Sequence, residues 1–241
     1  MEIKKLGVIG CGQMGSGIVQ VFAQAGYEVV AVDTMPAMIE KGLKGIEKRL
    51  MGRVDKGKMS LDEKNAIMGR IKTSSRLEDL ADCDLIEEAI PEDLELKKKT
   101  FAELDRICKP ETIFGSNTSG LSVTDMAVAT KRGERVMGMH FHNPAPVMQL
   151  LELVKTIMTS QAVIDDVKKW GGTLGKTVVV APDVGGFIVT RLFTPFLENI
   201  PVTRERTQLS AWQIPDLYVR LARVSTAVRI QRSPPSRAAI F

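Results

Sequence analysis

Gly10, Gly12 and Gly15, in KKLGVIGCGQMGSGIVQVFAQAGYEVVAVD (4–33), constrain this chain more than any other feature. The apolar run 4–10 ends in Gly10 and reads as a strand. Residues 13–26 carry apolar side chains at helical spacing and close on Gly26, and a second β-branched run, 27–33, ends in Asp33. Strand, turn, helix and strand within about thirty residues is the size of a βαβ unit. The G-x-G-x-x-G spacing is weak alone, but here it follows a strand and opens a helix, the context in which it binds a dinucleotide. Gly10 permits the tight turn, Gly12 lets backbone approach a pyrophosphate, and Gly15 lets helix and strand pack closely. Gln13 and Met14 open the helix, where free N–H groups and the positive end of the dipole favour an anion. Asp33, 18 residues after Gly15, is placed to accept hydrogen bonds from both hydroxyls of an adenosine ribose. A carboxylate there repels a 2′-phosphate, and DTMPAM offers no arginine to bind one, so the pattern favours NAD over NADP.

The alternation continues along the chain. Residues 36–59 read as a long amphipathic helix with a basic end, and Ser60 caps a further helix with Glu63 placed as in a capping box. Strand-like runs at 84–90, 112–117, 135–141, 148–154 and 176–181 are interleaved with helical patterns near 94–107, between the 112 and 135 strands, and at 160–173. This predicts a mainly parallel sheet covered on both faces, an α/β fold of the Rossmann-type, doubly wound class. Residues 1–182 are expected to form an NAD-binding domain. Residues 183–198, with Gly185 and Gly186 at the start and apolar side chains on most faces, read as the first helix of an incomplete all-α C-terminal domain.

Residues 199–241 read as an atypical, poorly ordered tail. Lysine outnumbers arginine 18 to 8 before residue 200, and the remainder carries seven arginines and no lysine. That break suggests a reading-frame shift or an artificial junction; a genuine basic C-terminal arm is the alternative. The 26 Lys and Arg up to residue 199 face 27 Asp and Glu, so the net charge of +4 belongs to the tail and describes no nucleic-acid surface. No apolar run approaches the ~20 residues of a membrane helix, and the N-terminus lacks signal-peptide character. Cys11, Cys83 and Cys108 are odd in number, far apart and match no metal spacing, which points to a reduced, cytoplasmic setting.

Both histidines of the chain fall in GMHFHNPAPVMQLLEL (138–153). His140 ends a strand, where doubly wound folds bind ligands. A histidine beside a carboxylate can act as a general base near neutral pH, because the carboxylate favours its charged form and fixes its tautomer. Glu152 on the next strand-like run is the candidate partner. His140 and His142 point the same way on a strand, as zinc ligands can, but Glu152 is the only nearby third ligand and no cysteine assists. Two ordinary, partly exposed histidines are the third possibility, and the segment alone leaves all three open.

Five blocks now carry a resemblance: GVIGCGQMGSGI, EEAIPEDLELKKKTFAELD, SNTSGLSVTDMA, GMHFHNPAPVMQLLELV and GFIVTRL. In this order, over residues 1 to about 198, they resemble the L-3-hydroxyacyl-CoA dehydrogenases, most of all the bacterial 3-hydroxybutyryl-CoA dehydrogenases. The resemblance implies oxidation of the 3-hydroxyl of an acyl-CoA with NAD as hydride acceptor, in fatty acid or butanoate metabolism. It implies His140 as the base, Glu152 as its partner, and no metal. Ser119 and Asn143 would contact substrate and nicotinamide, and Glu92 and Lys97 the cofactor. Arg49 and Lys56, with Arg53 and Lys58 on the basic helix end, would face the CoA phosphates; a solvated helix face is the plainer reading. Thr190 stands at a substrate-side position where the family has asparagine, and His142 takes the place of an aromatic or aliphatic residue and receives no role. The family dimerises through its helical domain. Because residues 199–241 do not continue that domain, the homodimer is doubtful, and a non-catalytic NAD-binding fragment is the alternative.

Overall fold

The computed structural model describes residues 2–193. The Arg-rich stretch 199–241 and residues 194–198 of the expected C-terminal helix lie outside the described residues. Eight strands form one sheet in the order β3-β2-β1-β4-β5-β6-β7-β8. Their ranges are β1 Lys5–Ile9, β2 Glu28–Val32, β3 Ile71–Ser74, β4 Leu85–Glu88, β5 Ile113–Ser116, β6 Val136–Phe141, β7 Leu150–Lys155 and β8 Thr177–Pro182. All pairings are parallel except β6 with β7, which is antiparallel. The strand order reverses direction at β1, between β2 and β4. That switch point opens the crevice in which doubly wound folds hold dinucleotides.

Six helices cover the sheet among the described residues: α1 Gln13–Gln24, α2 Pro36–Val54, α3 Leu61–Gly69, α4 Leu94–Ile107, α5 Val123–Val128 and α6 Gln161–Thr173. One buried cluster gathers Ile18 and Phe22 of α1, Ile46 and Leu50 of α2 and Val163 of α6 against one sheet face. A second gathers Phe101 and Leu104 of α4 with Val123 and Met126 of α5 on the other. Such strands, buried on both faces, read as continuous apolar runs. Phe22 meets Phe141 and Trp170 edge to face, at 5.9 and 5.3 Å between centroids, and so ties α1 and α6 to the end of β6. Full burial of one such ring stabilises by roughly 1.5–3 kcal/mol.

The elements follow the sequence expectations with two differences. Helix α2 ends at Val54, short of residue 59, because the chain turns at Gly57, whose φ of +64° favours glycine. Strand β3 was not anticipated: IKTS has no apolar alternation and pairs only with β2, at the sheet edge. The Ser60 capping box on α3 is present with both reciprocal bonds. After β8 the chain turns through Gly186 and Phe187, both with positive φ (77° and 49°), and becomes helical from residue 189. A phenylalanine at positive φ is strained. It is held there by burial, with its ring 5.8 Å from that of His140.

Candidate active site

The phosphate turn is shaped by what its glycines would strike. A Cβ on Gly10 (φ +94°) would lie 2.5 Å from Ala89 O, and one on Gly15 would lie 1.8 Å from Gly10 O. A Cβ on Gly12 would meet only Met38 Cε at 4.0 Å, so this side of the turn is open to an approaching group. Helix α1 starts there with no side-chain cap and no acid in its first turn, leaving the positive end of the dipole uncompensated. Asp33 Oδ2 accepts the Cys11 N–H at 2.8 Å and Oδ1 accepts the Met35 N–H at 2.9 Å. A carboxylate has about four acceptor sites, so capacity for ribose hydroxyls remains. The turn therefore fits a dinucleotide on its own geometry.

The chain after β4 and β5 closes this crevice. Glu92 Oε1 accepts the Ser119 N–H at 3.1 Å and the Thr118 hydroxyl. Lys97 was expected at the cofactor, but it is 1% exposed and turned inward. Its Nζ donates to Glu88 Oε1 at 2.6 Å and to Ile90 O at 3.3 Å, and lies 3.4 Å from Glu92 Oε2. The ammonium neutralises carboxylates that burial would penalise. Lys97 thus supports Glu92 from below. Gln13 Nε2 donates to Asn143 Oδ1 at 3.3 Å, joining the phosphate turn to the end of β6.

His140 and Glu152 are direct partners across β6 and β7. His140 Nδ1 lies 2.7 Å from Glu152 Oε2. The other oxygen, Oε1, accepts the N–H groups of Ile188 (3.1 Å) and Val189 (3.0 Å). Burial alone would push the Glu152 carboxyl up; hydrogen bonds from His140 and the Val189 N–H, with the His142 imidazole close by, outweigh it and bring it down to about 2. With a carboxylate on Nδ1, the network assigns the proton to that nitrogen and leaves Nε2 with its lone pair in the neutral ring. Nε2 faces Ser119 Oγ at 3.3 Å.

His142 is also buried. Its Nε2 is 3.3 Å from the same Oε2, and the two imidazole centroids are 4.4 Å apart. Burial pulls His142 below its ordinary value, with Glu152 opposing. So the histidine left without a role by the sequence faces the same carboxylate as the expected base. Donor atoms of His140, His142 and Glu152 lie within 4.8 Å of one another. A tetrahedral zinc with bonds of ~2.0–2.1 Å spreads its ligands to about 3.3 Å. The 2.7 Å contact of His140 Nδ1 with Glu152 Oε2 is shorter than that spacing and is a charge-assisted hydrogen-bond distance.

The expected acyl-CoA contacts divide. Ser119 is at the cluster, and Asn143, next in sequence to His142, is bonded to Gln13 of the phosphate turn. Thr190 is half-buried next to Val189, on the segment that holds Glu152. Arg49 leans across α1: its Nε donates to Gln20 Oε1 at 2.6 Å and its Nη2 to Ser16 O at 3.4 Å. Packing of α2 on α1 puts the buried Gln20 amide within its reach. Lys56 is exposed beyond the end of α2. Two residues were missed. Asn117 Oδ1 accepts the Phe141 N–H at 2.8 Å, fixing the strand end beside His140. Lys176 Nζ donates to Ala145 O (2.6 Å) and Met148 O (2.7 Å), clamping the loop that carries Asn143, and burial lowers it to about 8. Asn117 was visible in SNTSG as a polar residue at a strand end; nothing in the sequence around Lys176 signals its clamp.

Comparison with known proteins agrees with this geometry. The family described as 3-hydroxyacyl-CoA dehydrogenase, NAD binding domain, matches residues 5–184. A probable 3-hydroxybutyryl-CoA dehydrogenase of Bacillus subtilis is 43% identical over 199 residues, covering 83% of this chain and 69% of that protein. Among solved structures, M. tuberculosis FadB2 superposes with a TM-score of 0.80 at 41% identity, covering 82% of this chain and 70% of that one. The (S)-3-hydroxybutyryl-CoA dehydrogenase PaaH1 of Ralstonia eutropha gives 0.79 at 36% identity, covering 81% and 69%. With the phosphate turn, Asp33 and the His140–Glu152 pair in place, the chain belongs to the 3-hydroxyacyl-CoA dehydrogenase family and carries its NAD-binding domain.

Proposed function

We propose that this chain oxidises the 3-hydroxyl of a 3-hydroxyacyl-CoA to the 3-oxoacyl-CoA, with His140 as the base. The 2.7 Å contact of His140 Nδ1 with Glu152 Oε2 supports this reading best, because it leaves Nε2 as the acceptor beside Ser119. When bound, NAD supplies the hydride acceptor. His140 Nε2 takes the proton of the 3-hydroxyl, and Glu152 stabilises the imidazolium so formed. In reduction the imidazolium returns the proton to the developing alkoxide. The Ser119 hydroxyl and the Asn143 amide are the neighbouring donors that stabilise charge on that oxygen. Glu92, seated on Lys97, holds the Ser119 backbone in place. Gly10, Gly12 and Gly15, with Gln13 and Met14, form the pyrophosphate cradle, and Asp33 takes the ribose. Thr190 and Lys56 remain on the substrate side, Lys56 toward the CoA phosphates.

The four-carbon acyl group named for the Bacillus and Ralstonia relatives is the first substrate to try. A reducing, cytoplasmic setting suits three cysteines that are free and buried. A homodimer is the assembly the family resemblance implies. No helix of the described residues is long and apolar enough to cross a membrane. The test is reduction of acetoacetyl-CoA with NADH by the purified chain and by His140→Gln. Turnover that the variant loses supports the proposal. NADH binding without turnover in a folded sample overturns it in favour of a binding domain alone.

A further inference from the structure

Glu152 Oε2 has two imidazoles against it. His140 Nδ1 is at 2.7 Å and His142 Nε2 at 3.3 Å, while the other oxygen is taken by the N–H groups of Ile188 and Val189. All three side chains are buried, at 5, 3 and 0% exposure. One carboxylate therefore serves two histidines in a pocket that water does not screen. The 3.3 Å contact is just beyond a well-formed N–H···O bond, so it acts by charge and dipole more than by direction.

We propose that His142 is a positioning residue for the dehydrogenase reaction: it divides the Glu152 charge with His140 and so sets how strongly His140 holds the substrate proton. The proposal rests on the reading of His140 as the base. A neutral His142 with its proton on Nε2 presents a positive N–H edge 3.3 Å from Oε2 and reduces the negative charge that His140 feels. When protonated, it opposes a second cation on the same oxygen. In both states His142 takes a share of the carboxylate charge that stabilises the His140 imidazolium, a share that an apolar neighbour would return to His140. The charged groups that act on His142 come from each side: Glu152 on β7, His140 on β6 and Lys176 before β8. Phe187 packs against the His140 ring, and Gly17 of α1 lies against Ala145 and Pro146. Lys176 stays committed to two carbonyls, so its charge adds to the cost of protonating His142.

The chain has only two histidines, which makes the test clean. Imidazole NMR of the whole chain across pH reports each ring without assay of turnover. In the wild type the His140 signal should move in two steps, its own proton and that of His142, because coupled groups share macroscopic titrations. In His142→Phe and in His142→Gln it should move in one step. In kinetics, the acid limb of kcat/KM for 3-hydroxybutyryl-CoA oxidation should shift upward by about one pH unit in His142→Phe. Gln keeps a neutral N–H donor, so its shift should be smaller; it also serves if Phe does not fold. A single-step His140 titration in the wild type, or an acid limb that stays put or moves down in both variants, overturns the proposal. Two-step coupling in a chain that turns over no acyl-CoA would show the two rings sharing one carboxylate but would sink the proposed activity, and the positioning role with it; turnover with uncoupled rings would sink the positioning role alone.

Discussion

His140 and Glu152 face each other in direct register across the one antiparallel pairing of an otherwise parallel sheet, with Nδ1 2.7 Å from Oε2. If this pair does the proton chemistry, His140→Gln should lower kcat by roughly 10²–10⁴-fold, the usual share of general acid–base catalysis. NADH affinity, read by fluorescence, should be unchanged, because His140 is not part of the phosphate turn. Glu152→Gln should lose less in kcat, since an amide can still accept from Nδ1. Wild-type turnover in His140→Gln would remove it from the reaction.

Acid stability tests the charge on Glu152. Its folded value, about 2, is below the ordinary 4.5. A depressed carboxyl stabilises the fold above the unfolded value, and that stabilisation is lost as pH falls from about 4.5 toward 2. Near-UV circular dichroism across this window should show the wild type losing stability more steeply than Glu152→Gln. Equal slopes would mean that Glu152 is not held ionised.

Asp33 closes the other end of the site. It anchors the Cys11 and Met35 N–H groups and offers its remaining lone pairs to a ribose. Asp33→Ala should weaken NADH binding by about 1.5–3 kcal/mol, the worth of hydrogen bonds to a charged group. Discrimination against NADPH should relax as well, because the repulsive carboxylate is gone. Fluorescence titrations with both cofactors read each effect, and unchanged NADH affinity would separate Asp33 from the ribose.

Much of this site could be read from the sequence, for physical reasons that also mark where reading fails. The turn glycines, Asp33 and the strand-end position of His140 are set by local chemistry: backbone at positive φ, a helix N-terminus, the end of an apolar run. Glu152 could be named because a strand ten to twelve residues on is within hairpin reach. Arg49 could not be placed, since a long side chain on a helix goes where tertiary packing sends it, here onto Gln20. The ion pairs of Lys97 could not be read either, because its partners Glu88 and Glu92 converge only after β4 and α4 pack. The N–H groups of Ile188 and Val189 that hold Glu152 have no side-chain signature at all.

Glu87 offers a stability test away from the chemistry. It is fully buried on β4, and neither carboxyl oxygen meets a hydrogen-bond partner among the described residues. Burial, with the charge of Glu88, pushes it well above its ordinary 4.5. For a carboxyl raised on folding, the native state binds the extra proton and stability falls as pH rises above the unfolded value. Glu87→Met keeps the length of the side chain over Gly115 and removes the orphaned oxygens. It should stabilise by about 1–3 kcal/mol at neutral pH and flatten the alkaline decline. Thermal melts at several pH values would show this; a destabilised Met variant would point to a partner for the carboxyl.

Lys176 tests the loop that carries Asn143. Lys176→Met leaves the Ala145 and Met148 carbonyls without their donor and should cost about 1–3 kcal/mol of stability. Loosening Asn143 from Gln13 should raise KM for NADH more than it lowers kcat. A variant with unaltered KM and melting temperature would show the clamp to be idle.

The reversal of β7 has a consequence for inheritance. His140 and Glu152 are twelve positions apart, whereas Gln13 and Asn143, which also meet at the site, are separated by 130. Base and counter-ion therefore travel together in one short stretch of coding sequence, and recombination or duplication that moves the hairpin moves both. The cofactor end has no such linkage and must be kept by selection acting separately on distant parts of the chain.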